Sequence, residues 1–155
     1  MTTTHISVDF MLDTDIIAQD IYATSALHFY LSDHPTARPA PLSPDNKGAL
    51  APIIHNAASF IVLSMLPYVE DFILNTGDNP MIHITLKVAS SSMPPLTIRR
   101  ILETVIASYT QHLVYTTSNH QDLADTYREQ ALAMLNDLKT LLCGNNPPRL
   151  KPCLF

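Results

Sequence analysis

The sequence predicts a mainly α fold, a four-helix bundle-like domain with a minor two-strand β element. Three observations predict it. Four stretches repeat apolar residues at helical spacing, two short stretches alternate apolar and polar residues, and Pro, Gly or Ser/Thr/Asn clusters separate them. At 155 residues the chain makes one domain with room for a sizeable core. That domain is expected over residues 1–144, with a Pro-rich linker at 33–43 inside it and an extended tail over 145–155.

The elements follow in order. In HISVDF, Ile6, Val8 and Phe10 alternate with Ser7 and Asp9, as in a short strand or extended arm. A helix follows to about Ser32, capped by Asp13 or Thr14, with Asp15 in its first turn and Ile17, Ile21, Thr24, His28 and Leu31 along one stripe. Pro35, Pro39 and Pro41 make the next segment a stiff connection, too long for a tight helix hairpin. Ser43-Pro44 reads as a cap and first helical position of a long apolar helix running to Asn75, kinked near Leu63 by Pro67 and stopped by Gly77.

Residues 81–89 then alternate Ile82, Ile84, Leu86 and Val88 with His83, Thr85 and Lys87. Such a strand needs partners for its backbone groups. Either it pairs with Ile6–Phe10 in the same chain, or a neighbouring subunit completes it by strand addition. A third helix opens between Ser92 and Pro95 and carries Ile98, Ile101, Leu102, Val105, Tyr109 and Leu113. It breaks at TTSN. Ser118 and Gln121 predict a capping box for a fourth helix, which aligns Ala124, Tyr127, Ala131, Met134, Leu135, Leu138 and Leu142 and ends at Gly144.

Composition narrows the function classes. Charged residues are 15% of the chain, against about a quarter in typical domains. A surface so short of charge suits a protein that covers part of itself with partners, or one with a Ser/Thr/Asn-rich exterior. The net charge of −5 gives no general attraction to nucleic acid phosphates. The apolar run Ala57–Leu66 is well short of the roughly 20 residues that a membrane span needs. MTTTHISVDF lacks the basic and apolar regions of a signal peptide. Cys143 and Cys153 flank a Pro-rich turn, and two cysteines are an ordinary count for a reducing compartment.

No constellation reads as an active site. The three glycines, Gly48, Gly77 and Gly144, are isolated, so no phosphate-cradling loop can be built. There is no nucleophile elbow and no HExxH. The seven histidines are dispersed, and His112 and His120 straddle a helix break. Asp13 and Asp15 are explained by capping, and Glu70 and Asp71 by a solvated face. Arg99 and Glu103 stand at i, i+4 and are expected to pair. A phosphate site at that helix start is disfavoured because Pro94 and Pro95 remove two donors. Tyr109, Tyr115 and Tyr127 fit helix packing better than a stacking platform. The expectation is no enzyme, no cofactor and no metal.

With the helices laid out, the segment PPLTIRRILETVIASYTQHLVYTT, then DLADTYREQALAMLNDLKTLLCG, then PPRLKP resembles the C-terminal half of tailed-phage head–tail connector (head-completion or adaptor) proteins, of the kind found in Bacteroidetes phages and prophages. The alternating IHITLKV before the prolines and the N-terminal helix IIAQDIYATSALHFY are similar as well. The chain departs from the pattern in its Pro-rich linker and in SSSMPP. The resemblance implies a structural virion protein: a ring of identical copies, typically dodecameric, beneath the portal protein. Such a ring extends the DNA channel without binding DNA specifically and docks tail or stopper proteins. It implies the virion neck as location, after synthesis in the host cytoplasm, and no membrane. The interface candidates are then Ile82, Ile84, Leu86 and Val88 between subunits, and Arg149, Lys151, Leu154 and Phe155 on the portal or an adjacent copy. Arg99 and Arg100 are candidates for charge contacts across the ring. The other reading is a small helical protein-binding module, regulatory or immunity-like, acting as monomer or dimer, with the strand paired inside the chain and a dispensable tail.

Overall fold

The computed structural model describes residues 4–32, 39–90 and 93–144. Four helices and a three-stranded antiparallel sheet form the fold. β1 (His5–Asp13) leads directly into α1 (Thr14–Leu31), and a 3-10 turn at Pro44–Asn46 opens α2 (Lys47–Ser64). A second 3-10 turn, Leu66–Tyr68, leads to β2 (Val69–Asn75) and β3 (Met81–Ala89). α3 (Pro95–Thr117) and α4 (Gln121–Cys143) complete the chain.

The sheet answers the question of pairing. Its order is β1-β3-β2, so β3 is the central strand and both of its edges are taken within the chain. Ile84 lies opposite Phe10 on one side and Phe72 on the other, and Ile82 lies between Leu12 and Leu74. These residues share one face, which packs against the helices, while Asp9, Met11, His83, Thr85 and Ile73 point the other way.

The third strand corrects the expected two-strand element and the expected long helix. α2 stops at Ser64, well before Asn75. Pro67 does not kink a helix; it sits in the first positions of a 3-10 turn, where a missing N–H costs little. Val69–Asn75 then extends as an edge strand, with a bulge between Val69 and Asp71.

Local chemistry sets the other boundaries. Asp13 ends β1 and caps α1, its Oδ1 accepting from the Asp15 N–H at 2.8 Å. Ser43 N–H donates to Asn46 Oδ1 at 3.0 Å and stabilises the turn into α2. The expected capping box of α4 does not form. Ser118 instead turns its hydroxyl back to Val114 and Tyr115 carbonyls, and Gln121 donates to Asp125. Asn119 makes the reversal at φ 60°, in the left-handed region that Asn tolerates better than most residues.

α3 is the central helix, packed against α4, α2, α1 and β1. From Val105 to Gln111 every residue is buried, which a single apolar stripe does not predict and a helix surrounded by neighbours does. Ala107 and Ser108 keep close approach possible there. Along α1 the buried face is Thr14, Ile17, Ala18, Ile21 and Ser25, whereas Thr24, His28 and Leu31 are exposed.

Candidate functional site

The expected interface residues separate into three groups. Ile82, Ile84, Leu86 and Val88 are buried in the chain's own core, so their side chains have no surface to offer a neighbour. This corrects the expectation that they pack between subunits or complete a sheet there. Alternation marks a half-buried strand, and here the burying partners are α4, the Leu66–Tyr68 turn and the two flanking strands.

Arg99 and Arg100 are both engaged within the chain. Arg99 Nε donates to Glu103 Oε1 at 3.1 Å, and Arg100 Nη1 donates to Glu103 Oε2 at 3.0 Å. Glu103 is only 1% exposed, so its carboxylate depends on this two-armed clamp. Arg100 also lies 3.8 Å from Asp20 on α1 and keeps much of its surface in water. Arg149, Lys151, Leu154 and Phe155 lie outside the described residues, as does Cys153.

What the sequence did not expose is the solvent side of α2. Inside the helix, His55 is the only residue after Lys47 able to carry a charge. Pro52, Asn56, Phe60 and Leu63 recur at spacings of four, four and three, which places them on one outward stripe that continues to Leu66. Phe60 is 38% exposed, Leu63 64% and Leu66 59%. The available signal was the largely apolar run Ala57–Leu66, since a helix with apolar residues on most sides must bury each of them or leave one uncovered. Phe60 is held in place by stacking on Tyr109, with ring centroids 4.2 Å apart and planes 2° from parallel.

A second apolar surface lies on another flank. Met11 of β1 is 54% exposed and Leu96 of α3 is 69% exposed. They line one shallow hollow with Asp9, Phe10, Pro95 and Arg99. β1 and β2 are opposite edges of the sheet, and the hollow belongs to β1 while Leu66 opens the turn into β2.

A cavity of about 460 Å³ lies between the end of α1 and the α3–α4 turn, lined among others by Ser25, His28, Phe29, Tyr115, His120 and Asp122. Ser25 Oγ accepts from Leu42 N–H and from the Tyr115 hydroxyl, neither of which can serve as its base. Among the described residues no three His, Cys, Asp or Glu side chains converge to hold a metal, and no helix is long and apolar enough to cross a membrane. Cys143 is a free, buried thiol whose Sγ lies 3.0 Å from the Tyr68 hydroxyl. Burial first, and that hydrogen bond second, push the Tyr68 phenol up to about 12. Tyr127, stacked on Tyr115, is raised by burial to about 12.

Comparison with protein-family models, curated proteins and solved structures finds no match to this chain.

Proposed function

We propose that the chain is a structural head–tail connector of a tailed phage, assembling as a ring of identical copies, dodecameric in the form its resemblance implies, below the portal. The observation that carries this reading is the pair of dissimilar apolar surfaces, Phe60–Leu63–Leu66 on one flank and Met11–Leu96 on another. A closed ring needs two different, complementary patches on each subunit, whereas a two-fold dimer needs one self-complementary patch. The order of elements adds support: a strand, a Pro-led helix, a short break, and a helix stopped by Gly144 follow the layout of the connector resemblance. On this reading the protein performs no catalysis. Its ring lets DNA pass, Arg149, Lys151, Leu154 and Phe155 dock on the portal or an adjacent copy, and the opposite rim receives tail or stopper proteins in the virion neck.

Light scattering over a wide concentration range tests it. A uniform ring-sized species is expected, alone or on addition of the portal. Removing residues 145–155 is expected to leave the fold intact and to abolish assembly. A protein that stays monomeric with and without portal would sink the proposal. The second reading, a small helical binding module acting as monomer or dimer, is favoured by one observation: β3 pairs entirely inside the chain.

A further inference from the structure

The exposed stripe on α2 has an occupant suggested by the chain itself. α4 ends at Cys143 beside Tyr68, so the chain leaves the described body at Gly144 next to the Leu66–Tyr68 turn. Eleven residues follow, NNPPRLKPCLF, with Arg149 and Lys151 ahead of an apolar tip. Just past Leu66 the surface carries exposed Glu70 and Asp71. The tail and the stripe therefore match in kind: an apolar tip for Phe60, Leu63 and Leu66, and two cations for two carboxylates.

We infer that the α2 stripe is the seat of the C-terminal tail of a neighbouring copy. This rests on the ring reading and names the surface that receives the tail. Length permits a neighbour's stripe as well as the chain's own, and a ring needs the neighbour's. From Leu66 back to Pro52 the stripe runs about 21 Å at 1.5 Å per residue. A Pro-rich chain extends by about 3.1 Å per residue, so ten residues beyond Gly144 span at most about 31 Å. A body of this length is about 40 Å across. Fully extended, such a segment would pass the end of its own stripe and span most of the distance to the next subunit. Pro147, Pro148 and Pro152 restrict three of the eleven positions, and none of the eleven is a glycine that would ease a reversal. Backbone pairing is a poor alternative, since each proline removes a ladder donor.

The native Cys153 supplies the test. In the Leu66→Cys variant, mild oxidation is expected to join Cys153 of one copy to the thiol introduced at position 66 of another, the positions identified by peptide mass and the interchain bond by multimer bands on a non-reducing denaturing gel. The control is Asp137→Cys, exposed on α4 about 10 Å back from the exit. The interchain bond at position 66 is expected to form at least about tenfold faster than at 137, as docking raises the effective concentration. Light scattering on the same samples separates the two ideas. Rings with no preferred bond at position 66 overturn the seat and leave the ring standing, and so do rings in which the bond is intrachain. Monomers with and without portal overturn both.

Discussion

Ile84 is the sharpest place to test whether the alternating strand is core or contact. It is fully buried at the centre of β3, between Phe10 and Phe72. Ile84→Ala removes three carbons, worth about 2.4 kcal/mol at about 0.8 per buried methylene. The void adds a further cavity term, because a site fixed by two strands and the helices beneath relaxes only in part. The total is expected at about 3–4 kcal/mol, within the observed range for such truncations. For a chain of this size that lowers the melting temperature by roughly 6–16 °C. Urea unfolding followed by circular dichroism measures it, at several protein concentrations and with an unchanged slope on denaturant. A loss under about 1 kcal/mol, or one that appears only at high protein concentration, would refute the argument and return Ile84 to an interface.

Two further outcomes follow from the polar groups. Arg99→Ala with Arg100→Ala is expected to lower the melting temperature by stranding the buried Glu103 carboxylate, and adding Glu103→Leu is expected to recover much of the loss. A double variant that melts like the parent yet fails to assemble would show that the arginines act between subunits instead. Tyr68 and Tyr127 have folded-state phenols raised from 10 to about 12, so the folded state favours their neutral forms. Their contribution is complete below pH 10 and is lost as pH rises through 12; Tyr68→Phe and Tyr127→Phe are each expected to flatten the alkaline fall in stability measured by urea titration.

How much of this was legible in the sequence depended on how local each cause was. The Asp13 cap and the α4 face from Ala124 to Leu142 rest on neighbours within a turn or two, and both are where the sequence puts them. β2 was hidden for two physical reasons. Its bulge at Val69–Asp71 shifts the phase of alternation, and Pro67 reads as a helix kink when a largely apolar stretch of helical spacing precedes it. The Thr76–Pro80 turn between two β-prone runs was the overlooked hairpin signal. The all-round burial of α3 and the bare side of α2 were beyond reach, because each depends on how many other elements happen to lie alongside. The candidate site was the least legible: the alternating strand residues are core, and exposed apolar side chains stand on α2, whose sequence reads as a core helix.

The sheet also constrains how copies can join. With β3 central, only β1 and β2 could accept a foreign strand. β1 has the start of α3 beside it, where Leu96 and Arg99 share a hollow with Phe10 and Met11. β2 carries a bulge together with exposed Glu70 and Asp71, features that blunt an edge against strand addition. On the ring reading proposed above, assembly then runs through side chains, with the tail as the proposed donor and the α2 stripe as the proposed acceptor. Such a contact can be split between two variants. A chain lacking residues 145–155 keeps only the acceptor, and Leu63→Glu with Leu66→Glu keeps only the donor. Each alone is expected to stay monomeric by light scattering. Mixed in equal amounts they have one intact contact between them, so they are expected to form a 1:1 pair of twice the monomer mass and nothing larger. Full rings from the mixture, or no pair at all, would show that tail and stripe do not meet.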